Sequence, residues 1–173
     1  MPAKTRKQLT LFLQKEQSWS VEKIRQRFNP VQAGMIDAHV TLCRDNELTH
    51  IDTVLANLRS SYLPEIAIRF EKPARFEAGK GVWLPSTDTA SYHTLRTNVL
   101  RGIVDSPAQK IPHITLMHPR NSACTNEIFE RICEETFPTF FTFKEISLIG
   151  QPNGGKWEVL DRFELHSAKS LPG

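Results

Sequence analysis

The sequence matches itself at an offset of 74 positions. His39-Val40-Thr41-Leu42 recurs as His113-Ile114-Thr115-Leu116. The same offset carries Leu55 to Phe129, Leu58 to Ile132, Pro64 to Pro138, Gly81 to Gly155 and Trp83 to Trp157. One His-x-Thr-Leu alone is most often an ordinary structural pair on a strand. Helix positions, a proline, a glycine and a tryptophan kept at one offset make accident a poor explanation. The period is too long, and occurs too few times, for a solenoid. A duplicated lobe fits: strand, helix, His-x-Thr strand, helix, strand, read twice.

Local patterns supply those elements. Residues 8–14 alternate Leu9, Leu11 and Leu13, which predicts a strand. Val21, Ile24 and Phe28 then follow at helical spacing. Ser20 stands where it could cap that helix, and Trp19 and Ile24 where a hydrophobic staple would form. Pro30 and Gly34 are expected to break it. Further strands are expected at 37–43, Glu65–Phe70, 81–85 and 113–118, with helices from about Thr49 to before Pro64, over 89–104 and over 125–136. Two more strands, near 139–149 and 156–165, flank the Pro-Asn-Gly-Gly turn at 152–155. The expected fold is α+β, bilobal and duplicated. Two antiparallel sheets face a central cleft, helices lie outside, and a pseudo-two-fold axis relates the lobes. Residues 1–173 read as one domain of two intertwined lobes, with no linker between.

Side chains alternate across a strand, so His39 and Thr41 share a face, as do His113 and Thr115. Val40, Leu42, Ile114 and Leu116 form the apolar backs. Two lobes facing each other would bring the four polar side chains together in one cleft. Two opposed imidazoles suit acid–base work, because their unperturbed pKa near 6.5 lets one be neutral and one protonated. The neutral ring takes a proton from an attacking water, and the charged ring gives one to the leaving oxygen. Threonine hydroxyls can hold the non-bridging oxygens of a phosphate. This layout needs no metal. A zinc site of His39, His113 and His118 is the weaker alternative, because His113 and His118 would face opposite sides of a regular strand.

The rest of the sequence narrows the class. The chain has 173 residues, of which 39% are hydrophobic and 24% charged, so it can bury a core of its own. No apolar run is long enough for a membrane helix, and the N-terminus does not read as a signal peptide. A net charge of +3 permits an anionic substrate without demanding one. Cys43, Cys124 and Cys133 are odd in number and lack Cys-x-x-Cys spacing, which predicts free thiols in a reducing cytoplasm. Trp83 and Trp157 either stack on a base or close the lobes as core residues, and core packing is the expectation. Phe12 is a candidate neighbour of His39. Lys4, Arg6 and Lys7 read as a solvated terminus, and Arg44 and Arg120 as surface charge. His50, His93 and His166 have no duplicated partner and receive no role.

The two motifs, His39-Val40-Thr41-Leu42 and Pro112-His113-Ile114-Thr115-Leu116, resemble those of the 2H phosphoesterase superfamily, which includes 2′-5′ RNA ligase-like and cyclic phosphodiesterase proteins. The resemblance spans nearly the whole chain. It implies a bilobal α+β fold whose motif side chains line a central groove. It implies that His39 and His113 are the acid and base, and that Thr41 and Thr115 hold the phosphate. It also implies partners that are RNA ends or nucleotides with a 2′,3′-cyclic or 2′-5′ phosphate, hydrolysed or, in reverse, ligated. A non-catalytic RNA-end or nucleotide binder is the reading from another class. No cofactor, no membrane contact and a monomer are expected. Family members often follow His-x-Thr-Leu with a basic-aromatic pair, whereas Cys43-Arg44 and Met117-His118 follow here.

Overall fold

The computed structural model describes residues 4–167. Its first strand, β1 (Thr5–Phe12), begins earlier than the leucine alternation predicts. Leu9, Thr10 and Leu11 are all buried, because β1 lies between two other strands. Helix α1 (Lys15–Phe28) also starts early. Ser20 is buried within it and Trp19 is 72% exposed, so neither the cap nor the staple forms. The early start has a tertiary cause. Gln14 Nε2 donates to the carbonyl of Thr142 (2.8 Å), and Gln17 Oε1 accepts from the Thr142 amide (3.0 Å). These bonds tie the first turn to a distant strand. Pro30 does not end helical structure; it opens a second short helix, α2 (Pro30–Met35), where a missing amide hydrogen costs nothing, and Gly34 lies inside that helix.

The remaining elements are β2 (His39–Cys43), α3 (Ile51–Ser60), β3 (Ile66–Arg69), β4 (Ala74–Phe76), β5 (Gly81–Pro85), α4 (Ala90–Val99), β6 (His113–Met117), α5 (Asn126–Cys133), β7 (Phe140–Phe143), β8 (Glu145–Pro152) and β9 (Glu158–Glu164). A 3₁₀ turn at Asp45–Glu47 follows β2. Helix α4 stops short of the expected 104, and Gly102 adopts φ 80° in the turn beyond it. The Pro-Asn-Gly-Gly turn forms as expected, with φ 53° at Asn153 and 70° at Gly154, and it joins β8 to β9.

The 74-residue offset holds at the level of elements. It superposes β2 on β6 and β3 on β7 with identical bounds. Among the described residues all strand ladders are antiparallel, but they form three sheets rather than two: β2-β1-β8-β9, β4-β5-β6 and β3-β7. The two smaller sheets meet without a ladder. The Glu71 amide donates to Pro85 O (2.7 Å), and the Ser86 hydroxyl donates to Arg69 O. The single strand expected near 139–149 divides at Lys144. Its first part pairs with β3, and its second part crosses to β1.

Both His-x-Thr strands lie at sheet edges and pack against each other. Each is bonded to a strand with a register shift at the matching place, between Leu9 and Thr10 in β1 and between Val82 and Trp83 in β5. Phe12 opposes His39 as Pro85 opposes His113, and Thr10 opposes Thr41 as Trp83 opposes Thr115. The positional counterpart of Trp83 is therefore Thr10. Trp157 lies in the β8–β9 connection, so the tryptophan match in the sequence does not become a spatial one.

Candidate active site

β2 and β6 have the same burial alternation. Val40, Leu42, Ile114 and Leu116 are buried, while His39, Thr41, His113 and Thr115 are half-exposed on the other face. All four polar side chains line one cavity of about 390 Å³. The structure thus brings together every residue singled out by the repeated motif.

The two imidazoles are held in the same way. His39 Nδ1 lies 2.8 Å from the carbonyl oxygen of Asp37, and His113 Nδ1 lies 2.9 Å from that of Ile111. A carbonyl only accepts, so Nδ1 carries the proton in both rings. Nε2 is left with its lone pair in the neutral ring and with a proton in the charged one. The same bond survives in both states, so each ring can serve as base or acid without turning. Burial lowers both pKa values. For His39 it is the largest effect, opposed by the Asp37 carbonyl and reinforced by Arg25, His113 and His118, and the value is pushed down to about 4. For His113 burial again leads, the Ile111 carbonyl opposes it, and Arg44 lowers the value further.

The threonines are held differently. Gln8 Nε2 donates to Thr41 Oγ1 (3.1 Å) and to Thr10 Oγ1 (2.8 Å). Because Thr41 Oγ1 is an acceptor there, its own hydrogen stays available to a bound oxyanion. The Thr115 hydroxyl has no such support among the described residues.

The cavity wall is cationic. Arg6, Lys7, Arg25, Arg44 and Arg120 line it, and among the described residues Asp45 is its single carboxylate. Arg6 and Lys7 therefore belong to β1 and the cavity rather than to a free terminus, and Arg44 and Arg120 are more than surface charge. Arg6 is held by Gln151 Oε1 and lies 5.4 Å above the Trp157 ring. Gln8, Arg25, Gln32 and Ile36 also line the cavity, although no motif marks them in the sequence. A second cavity, of about 420 Å³, shares Thr41, Arg44 and His113 with the first and adds Leu42, Trp83, Tyr92 and Ile111.

Neither tryptophan belongs to the buried core. Trp83 stacks on Phe76 (4.8 Å between centroids) and leans on His113 (4.5 Å), while Trp157 lines the main cavity. Phe12 meets His39 edge-on at 6.1 Å. His118 lines the cavity with the opposite polarity: its Nδ1 accepts from the Arg120 amide (3.1 Å), so the neutral ring carries its proton on Nε2. Burial, then Arg120, lowers its pKa. Among the described residues no three His, Cys, Asp or Glu side chains group to hold a metal ion, so the three histidines do not form the zinc set. His50, His93 and His166 lie away from both cavities.

Comparison with known proteins places the chain. Residues 13–155 match the 2'-5' RNA ligase superfamily. The chain belongs to that family, and so to the 2H phosphoesterases. Its fold is shared by a crystal structure described as a phosphoesterase (20% identity, 94% of this chain, 99% of that one, TM-score 0.59). It is also shared by E. coli LigT complexed with phosphate (19% identity, 93% and 97% covered, TM-score 0.61) and with 3'-AMP (19%, 93% and 98%, TM-score 0.58). No curated protein sequence matches the chain. No helix among the described residues is long and apolar enough to cross a membrane.

Proposed function

We propose that this chain is a metal-independent phosphodiesterase that opens a 2′,3′-cyclic phosphate, or cleaves a 2′-5′ phosphodiester, on an RNA end or nucleotide. The observation that carries this reading is the pair of identically held imidazoles, each with its threonine, in one cationic cavity. In hydrolysis of the cyclic ester, a water oxygen bonds to phosphorus and its proton passes to Nε2 of one histidine. The bond from phosphorus to O2′ or O3′ breaks, and that oxygen takes a proton from Nε2 of the other. His39 and His113 carry these two transfers, each typically worth about 10² to 10⁴ in rate. The hydroxyls of Thr41 and Thr115 hold the non-bridging oxygens as charge builds on them. The cationic wall favours a polyanion, and the phosphate and 3'-AMP held by the LigT relative are ligands of the same chemistry.

The family name supports a second direction, 2′-5′ ligation, which uses the same groups in reverse. We place the activity in the cytoplasm, where three unpaired cysteines stay reduced. The test is turnover of a 2′,3′-cyclic nucleotide and of an RNA with a cyclic-phosphate end, in excess EDTA, with the product isomer identified. Chelator-resistant cleavage lost in His39→Ala and His113→Ala is the expected result. Turnover that survives either replacement sinks the acid–base assignment, and binding without turnover by the intact chain favours a binding module.

A further inference from the structure

The peptide between Asp37 and Ala38 has its two polar groups spoken for on opposite sides. Its carbonyl accepts the Nδ1 proton of His39. Its amide, the Ala38 N–H, donates to Oε1 of Glu22 on α1. A trans peptide is planar and its C=O and N–H point opposite ways, so fixing one fixes the other. Glu22 is itself fixed. Arg25 Nη1 reaches both its carboxylate oxygens (3.1 and 2.9 Å), and Arg25 Nη2 donates to Ile36 O (2.7 Å). Arg25 is only 2% exposed. The amide ahead of this peptide is therefore pinned too, and residues 36–38 are held against α1 from both ends.

We infer that Glu22 is a positioning residue for His39, acting through the Asp37–Ala38 peptide. The arrangement does what an orienting carboxylate does beside a catalytic histidine, with one peptide group inserted between them. A carboxylate that pulls on the amide hydrogen makes the carbonyl at the other end a better acceptor. The tautomer with its lone pair on Nε2 is thereby favoured. The second histidine cannot be held this way. Its carbonyl belongs to the Ile111–Pro112 peptide, and proline has no amide hydrogen to anchor.

This inference rests on the proposed role of His39, and the experiment separates the two. Histidine is labelled with ¹⁵N, and the ring tautomers of wild type and Glu22→Ala are read by NMR above pH 7, alongside kcat and KM on a 2′,3′-cyclic nucleotide. His39 should lose its Nδ1–H tautomer while His113, in the same sample, keeps it. kcat should fall about 10- to 100-fold with KM nearly unchanged, the scale of one lost charge-assisted hydrogen bond. Glu22→Gln keeps an oxygen for the Ala38 amide, so it should keep the tautomer and lose roughly 3- to 10-fold in kcat; it carries the test if the alanine variant does not fold. An unchanged His39 tautomer in Glu22→Ala, an equal change at both histidines, or wild-type kcat in either variant overturns the inference. If His39→Ala is inactive while the Glu22 variants turn over like wild type, the inference falls and the acid–base reading stands. If His39→Ala turns over normally, that reading falls, and the tautomer result still reports on the Glu22 contact.

Discussion

The two halves of the site use one motif but are supported by different means. Around His39 the supports are ionic, each built on a buried arginine. The Glu22–Arg25 pair holds the strand's entry, and Glu47 holds its exit by accepting from Arg96, Lys110 and the Arg44 amide. Arg96, fully buried on α4, also donates to the carbonyl of Leu42. Around His113 the supports are neutral. Pro112 shapes the entry, Trp83 leans on the ring, and the exit is an amide network. In it Asn29 Oδ1 accepts from the His118 amide (2.8 Å), Asn29 Nδ2 donates to Asn121 Oδ1 (2.9 Å), and Asn121 reaches Gln32 (2.8 Å). A repeated motif needs the same geometry twice, and helices that differ in sequence reach it by different chemistry.

The largest test of this comparison is removal of the rings themselves. His39→Ala and His113→Ala should each lower kcat/KM by about 10² to 10⁴, with the melting transition retained. Unequal losses would show that one proton transfer dominates the barrier. Next comes the ionic exit. Burial alone would raise the Glu47 pKa, but the hydrogen bonds from Arg96 and Lys110 outweigh it and hold the value down to about 2. The stability it contributes is present above its ordinary pKa of 4.5 and is lost as pH falls from there toward 2. Glu47→Gln should cost about 3 kcal/mol in denaturant unfolding at pH 7, because the buried Arg96 loses its counter-charge. Asn29→Ala should cost roughly 1 to 2 kcal/mol with little pH dependence over the same range, the scale of a neutral buried amide. Equal acid sensitivity in the two variants would erase the distinction.

Smaller effects sharpen it further. Thr41→Val and Thr115→Val should each lower kcat by roughly 10- to 100-fold, below what a dedicated oxyanion donor supplies because two hydroxyls share the load. Gln8→Ala should cost only a few-fold and should be silent in a Thr41→Val background, since Gln8 touches the Thr41 hydroxyl and not that of Thr115. The pH profile of kcat/KM reports the free enzyme. Its acid limb rises as the base loses its proton, and its alkaline limb falls as the acid loses its own. Both histidines are lowered, His39 to about 4, so the optimum should lie on the acid side of neutrality. A maximum near pH 8 would contradict the burial that lowers them.

Much of this was legible in the chain because it is local. Alternation along 39–43 and 113–117 sets which side chains share a face, whatever sheet the strand joins. The four motif residues could therefore be named without a structure, and the offset that relates them reappears in the bounds of β2 and β6 and of β3 and β7. Other readings failed where a distant partner decided the outcome. Bonds from Gln14 and Gln17 to β7 start α1 early. Lys144 divides an apparently continuous strand, because Phe141 and Phe143 bury themselves with β3 while Ile146 and Leu148 do so beside β1. Trp157 shares an offset with Trp83, but hydrogen bonding makes Thr10 the residue beside the other motif.

Periodicity along the chain is enough for the repeated unit, for the apolar back and polar front of its two key strands, and for the pair of histidines those fronts present, since strand alternation needs no long-range information. Only the tertiary structure decided that the fronts meet, that Arg6, Arg25, Arg44 and Arg120 converge on them, and that Glu22 reaches the peptide behind His39. Those groups lie on separate elements, and their approach depends on how sheets and helices pack rather than on any spacing along the chain.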